Sequence, residues 1–426
     1  MNALADRCKD LSLRHDAKKP RGFGAGEEEA IDRSAVRKYK GSRESVIEEV
    51  RMVKVGPRVA SLANEWVGIE PGATLELAGW RLRVVEVSGP ELVRSRLPFA
   101  FEDFEAERVA EFRRRFHLEE VVSRGRTELE GLMLLRDWVA DRVPFGQPPQ
   151  DADVDPFHIL ERAAQGAKHN CTYLSVVYLA ALVSLGHVAR KLSTVGHGTV
   201  EVWSNELCKW VVLDPSRRNC YTLGGQILNA QEVRQQHFAD GGVSMQVAFG
   251  LGDRRERVTL EKREDGHLKY RQEAFAWTAY HDRNNFLTRL VDFGKDRFYI
   301  LRDRYNRDQA WMTQPTKPSE KPRIDERYRL ATVTERLADI YWSANVTRVR
   351  LALPSARSLT VQLETMTPNF DSFLREDDGA WKPVRTEFTW KVREGANRLA
   401  VRSRNRAGVL GPVGSVTVQG ERCPAE

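Results

Sequence analysis

The stretch NCTYLSVVYLAALVSLGHVA, residues 170–189, runs for twenty residues without a formal charge. Its length approaches what a membrane span needs. It also carries Asn170, Thr172, Ser175, Ser184, Gly186 and His187, and it reads as a helix over 171–185 buried in a folded core, with Gly186 at its C-cap. The chain has to fold around such a helix. Its first residue is Cys171.

The rest of the composition fits a folded chain of several domains. There are 426 residues, 41% hydrophobic and 30% charged, values of globular rather than disordered sequence. The net charge is +7, but the densest basic runs are short, at 18–21 and 113–115, and lack interleaved aromatics. Nucleic acid is therefore not an expected partner. The five cysteines are widely spaced and form no CxxC pair, so no metal site, cofactor or disulfide framework is expected. Cys208 and Cys220 remain open to pairing. No apolar run follows Met1, so neither a signal peptide nor a membrane span is expected, and the chain as written reads as cytoplasmic.

Texture divides the chain. Residues 1–44 are polar and read as a tail. Residues 45–100 alternate apolar and polar residues and suggest a small β-rich module. The stretch 101–122 has helical periodicity. A second helix is expected over 127–142, where Leu129, Leu132, Leu135, Trp138 and Val139 share a face, and Pro144 ends it. Strands dominate 191–214. The core is thus expected over 101–250, with an extension over 251–337. Short alternating strands from 338 to 426 read as a β-sandwich of immunoglobulin or fibronectin III type. The fold class is α+β.

Chemistry centres on GHGTVEVWSNELCKWVVLDP, residues 196–215. As a hairpin with a symmetric turn, it pairs Trp203 with Trp210, Glu201 with Val212 and Thr199 with Asp214. His197 and Asp214 then lie on one face as a diagonal pair. A slip of one residue would put them on opposite faces. The Asp carboxylate can hold one imidazole nitrogen and leave the other to act as a base. Cys171, at a helix N-terminus, has the free N–H groups and positive dipole end that favour a thiolate. Its backbone N–H would be one oxyanion donor, and the side chain of Gln165, six residues upstream, a second. Each residue also has a plain structural reading: a small core thiol, a packed histidine, an Asp-Pro turn, an exposed helix-end glutamine.

The order of these pieces resembles the transglutaminase-like superfamily, a branch of the papain-like cysteine enzymes. Its pattern is a Cys opening a helix, a Gly and an Arg after it, a His-x-x-x-Glu-Val strand, then a Trp followed closely by Asp-Pro. Here these are Cys171, Gly186 and Arg190, HGTVEVW at 197–203 and KWVVLDP at 209–215. The resemblance covers roughly 125–222. It implies a Cys-bearing helix packed on an antiparallel sheet, with Cys171 as nucleophile, His197 as general base and acid, and Asp214 as the orienting carboxylate. Two departures concern substrate handling: Thr199 stands where the family often has an aromatic residue, and AKHN precedes the Cys in place of a Gly-rich run. The chain is also similar to bacterial members that join this core to β-sandwich modules, and it has no D-x-D-x-D-G calcium loop.

The expected function is amide-bond acyl transfer through a thioester, on a peptide or a Gln or Asn side chain of a protein substrate, with hydrolysis favoured over crosslinking. The rival is an inactive scaffold in which the sandwich binds protein or carbohydrate, with Trp381 or Trp390 contributing.

Overall fold

The computed structural model describes residues 71–77, 80–292, 295–304, 312–313, 323–324, 328, 331–355 and 358–422. The expected tail at 1–44 lies outside them. The chain is α+β, with short helices against several mainly antiparallel sheets.

Two strands come first, β1 (Thr74–Leu77) and β2 (Trp80–Ser88). The helices follow: α1 (Glu107–Arg115), α2 (Leu118–Val122), α3 (Glu128–Arg142), α4 (Pro156–Ala164) and α5 (Cys171–Ser184). The helical stretch expected over 101–122 is broken, because His117 takes up a left-handed conformation (φ 52°) between α1 and α2. The break lets Val109, Phe112, Leu118 and Val121 all reach the core. In α3, Thr127 caps the first turn by accepting from the Glu130 N–H. Leu132, Leu135, Trp138 and Val139 are buried as expected, and Leu129 packs at the core's edge.

Helix α5 is enclosed, with every residue from Leu174 to Ser184 buried. Apolar surface on all sides of a helix demands cover on all sides. Here α1, α3 and α4 pack on one side and a sheet on the other. Gly186 follows the helix at φ +80°, where a Cβ would lie 2.3 Å from the Cβ of Ala407. Glycine therefore serves both the helix stop and the close approach of the C-terminal strands.

The sheet beside α5 begins with β3 (Ala189–Thr194), β4 (His197–Ser204) and β5 (Lys209–Leu213). The register is the expected one: Trp203 opposes Trp210 and Glu201 opposes Val212. Val200, Val202, Val211 and Leu213 face α5, whereas Trp203, Trp210 and Val212 face other clusters. The sheet is buried on both faces, so its polar residues Arg190, Thr199 and Glu201 are buried with it.

Next come β6 (Asn219–Leu223), β7 (Gln226–Ile227), α6 (Ala230–Asp240), β8 (Gln246–Phe249) and β9 (Arg254–Arg257). These strands form their own sheet in the order β7-β6-β8-β9. A 3₁₀ turn over Gln272–Ala276 leads into β10 (Thr278–His281) and β11 (Phe298–Leu301). A two-stranded ribbon, β12 (Met312–Thr313) and β13 (Arg323–Ile324), precedes β14 (Thr332–Thr334) and α7 (Leu337–Ile340). Strands β10, β11 and β14 complete the central sheet, in the order β14-β11-β10-β3-β4-β5. The segment expected as an extension is thus continuous with the sheet that carries His197.

The C-terminal strands are β15 (Thr347–Ser355), β16 (Ser358–Thr365), β17 (Phe370–Asp377), β18 (Ala380–Val384), β19 (Glu387–Lys391), β20 (Gly395–Asn405) and β21 (Gly414–Arg422). They make two sheets that share one apolar core. One expectation is corrected here. The strands assigned to a separate β-rich module at 45–100 join this sheet instead, with β2 paired along its whole length to β21 and β1 forming the edge. Leu82 and Val84 point into the shared core, so two strands too few for a core of their own find it at the far end of the chain.

Buried polar contacts tie the parts together. Arg190 pairs with Glu201 at 2.6 Å, and its guanidinium lies over the rings of Trp210 and Tyr280. The second Glu201 oxygen accepts from the Ala230 N–H at the start of α6 and from the Tyr341 hydroxyl. The Trp210 indole donates to the Trp342 carbonyl at 2.7 Å. Trp390 is buried in the sandwich core; Trp381 lies under the Arg402 guanidinium, 4.0 Å from its ring.

Candidate active site

Cys171 heads α5. Asn170, immediately before it, caps the helix by accepting from the Thr172 N–H at 3.0 Å. The segment before the cap is itself anchored. His169 donates its backbone N–H to Pro144 and accepts at its carbonyl from Gly146, so the turn that ends α3 grips the strand leading into the nucleophile. The His169 ring is buried 5.2 Å from that of Tyr173. The AKHN sequence, set apart above from a Gly-rich run, thus supplies a helix cap and a packed anchor. At the first helical position the Cys171 N–H has no carbonyl within its own helix to donate to.

His197 opens β4, and the next backbone N–H, that of Gly198, donates to Cys171 Sγ at 3.4 Å. The start of the strand thus lies against the start of the helix. Gly198 abuts Thr172 with no side chain between them: a Cβ would sit 3.4 Å from the Thr172 hydroxyl.

His197 Nε2 lies 2.6 Å from Asp214 Oδ2. Their side chains are 5% and 3% exposed. Asp214 follows β5, where its backbone pairs with Asn219. Its other carboxylate oxygen accepts from the Ser216 N–H, the Ser216 hydroxyl and the Arg217 N–H. A carboxylate with both oxygens occupied cannot swing away. With Nε2 held by Asp214, Nδ1 is the ring nitrogen left to act on the sulfur.

The electrostatics follow from this contact. Burial alone would push the Cys171 thiol up. The hydrogen bond and charge of His197, with the Gly198 N–H, outweigh it and bring the thiol down to about 7. Burial alone would pull His197 down. The Asp214 carboxylate and the Cys171 sulfur outweigh that and hold it up at about 9. Asp214, despite its burial, is held below the usual carboxylate range by His197 and Arg217. Between about pH 7 and 9 the thiolate and the imidazolium therefore coexist, as a nucleophile beside its proton donor.

The structure brings Cys171, His197 and Asp214 together. Gln165 lies at the end of the helix before Cys171. It is the exposed C-cap residue of α4, one position before Gly166 at φ +93°, and no hydrogen bond among the described residues ties its amide to the sulfur. Ser216 and Arg217 were missed in the sequence reading, although Asp-Pro-Ser-Arg carries a signal: an Asp accepting from backbone two and three residues on is a recurrent turn device.

No group of His, Cys, Asp and Glu among the described residues is arranged to hold a metal ion. No disulfide forms among them either. No described helix is long and apolar enough to cross a membrane. Comparison of the chain with known protein families, with curated proteins and with solved structures finds no match.

Proposed function

We propose that this chain is a cysteine-dependent acyl-transfer enzyme that acts on amide bonds through a thioester, built on a transglutaminase-like core with an immunoglobulin- or fibronectin III-like sandwich. The observation that carries the reading is the His197–Asp214 pair beside Cys171 at the N-terminus of a buried helix, where the Gly198 N–H donates to the sulfur. A packed structural thiol would have its pKa raised by burial, as that of Cys220 is. That of Cys171 is lowered by a hydrogen-bonded imidazole.

The Cys171 thiolate attacks the amide carbonyl carbon, and the oxygen takes the negative charge near the Cys171 N–H and the positive end of the helix. As the intermediate collapses, the C–N bond breaks and the His197 imidazolium gives its proton to the departing amine. Neutral His197 then takes a proton from water, and the hydroxide attacks the thioester. The carboxylic acid leaves and the thiolate returns beside the imidazolium. Asp214 keeps the ring oriented throughout and stabilises its charge. Hydrolysis is the favoured outcome, because water is always at hand. Crosslinking needs a site that admits an amine while limiting water.

An activated ester tests the reading without knowledge of the substrate. With p-nitrophenyl acetate, the full chain should release p-nitrophenolate in a burst of one equivalent, with an acetyl group found on Cys171. Cys171→Ser should give no burst. Acetylation spread over several side chains, unchanged in Cys171→Ser, would contradict it.

A further inference from the structure

We propose that Arg271, 74 residues beyond His197 in the chain, is a positioning residue that sets the His197 imidazole against the Cys171 sulfur. The inference rests on the acyl-transfer reading above.

Strands β3 and β4 are joined by a two-residue turn. Thr194 pairs with His197, which leaves only Val195 and Gly196 at the tip. His197 is the first residue after that tip, so any movement there turns its side chain directly. Three bonds from one distant segment pin it. Arg271 Nη2 donates to the Val195 carbonyl at 3.1 Å and to the Gly196 carbonyl at 3.3 Å. The Val195 N–H donates to the Ala274 carbonyl at 3.0 Å. Within the turn, the Thr194 hydroxyl donates to the His197 carbonyl at 3.1 Å.

Arg271 is itself held for this task. It is 5% exposed and takes a left-handed conformation (φ 63°), which no glycine relieves. The Glu273 carboxylate lies 3.6 Å from its Nε. The charged and titratable groups around it are Glu273, Arg217, Tyr221 and Asp265. Arg217 belongs to the turn that donates to Asp214. Arg271 thus holds the tip that carries the histidine, within electrostatic reach of Arg217 in the turn that holds the carboxylate. A planar guanidinium can bridge two carbonyls from a fixed stem; an ammonium reaches them as a mobile point donor.

The test uses the full chain and iodoacetamide, with the labelled cysteine located by mass spectrometry. In wild type the Cys171 labelling midpoint should fall near 7. In Arg271→Met it should rise toward the ordinary thiol value of about 8.5. Labelling at pH 6 should then fall roughly thirtyfold, the ratio of thiolate fractions at the two midpoints. Arg271→Lys should restore part of the loss. If Arg271→Met does not fold, Glu273→Gln loosens the same guanidinium and should move the midpoint in the same direction by less. A purely structural role would lower the melting temperature and leave the midpoint in place, and that result overturns the inference. A wild-type midpoint near 8.5 that His197→Ala does not move fails the acyl-transfer reading itself, a separate outcome.

Discussion

His197 Nε2 lies 2.6 Å from Asp214 Oδ2 across the open ends of one hairpin, and the Asp214 turn holds that carboxylate by its other oxygen. Removing the negative charge while keeping the shape should therefore cost more than a hydrogen bond. Asp214→Asn should reduce turnover by about 10²–10⁴-fold, as loss of the orienting carboxylate does in catalytic triads. Substrate affinity should change little. A loss confined to KM, with kcat intact, would contradict this role.

The coupled Cys171–His197 pair predicts a bell-shaped rate profile. The rising limb reports loss of the thiol proton near pH 7, and the falling limb reports loss of the imidazolium proton near pH 9. These values belong to the pair rather than to either residue alone. Measurement of kcat/KM from pH 5 to 10 checks both limbs. A single limb near the ordinary histidine value would mean that the sulfur and the ring titrate independently.

The same pair has a signature in stability. His197 is raised in the folded chain to about 9, against about 6.5 when unfolded. Its contribution is complete below about pH 6.5 and is lost as pH rises through 9. Asp214 is lowered, so its contribution is present above the usual carboxylate range and lost as pH falls through its depressed value. The stability difference between wild type and Asp214→Asn should therefore be greatest between about pH 4 and 6.5 and shrink toward pH 9. Melting temperatures across that range test it, and a difference that grows with rising pH would refute it.

Glu201 lies in the His197 strand but has a structural task. It is fully buried, with one oxygen on Arg190 and the other on the Ala230 N–H and the Tyr341 hydroxyl. Glu201→Ala leaves the Arg190 charge buried without its partner and should cost about 3–5 kcal/mol by chemical denaturation. Glu201→Ala protein that remains folded should keep the Cys171 labelling midpoint of wild type.

The site was largely legible in the sequence for physical reasons. A period of two and a symmetric turn pair the two tryptophans, and this register, like one slipped by two residues, puts His197 and Asp214 on one face. The uncharged strip required a buried helix, and Cys171 opens it. What could not be read depended on distance along the chain or on a single dihedral. The pairing of β2 with β21 joins residues more than 300 positions apart, and alternation marks a strand without naming its neighbour. The break at His117 turns on one left-handed residue within a helical pattern. The anchoring of the AKHN segment on 144–146 was equally out of reach, because spacing does not name a partner about 25 residues back. Arg271 gave no signal, since a lone arginine far along the chain looks like any other.

The most direct test of the account is the pH dependence of Cys171 alkylation in wild type and His197→Ala, with each cysteine resolved by mass spectrometry. The account predicts a wild-type midpoint near 7 for Cys171, with Cys220, buried and raised, labelling far more slowly. In His197→Ala the Cys171 midpoint should rise to the ordinary thiol value of about 8.5 or above. A wild-type midpoint already at that value, unchanged by the substitution, would mean that Cys171 is a packing residue and that the relay does not activate it.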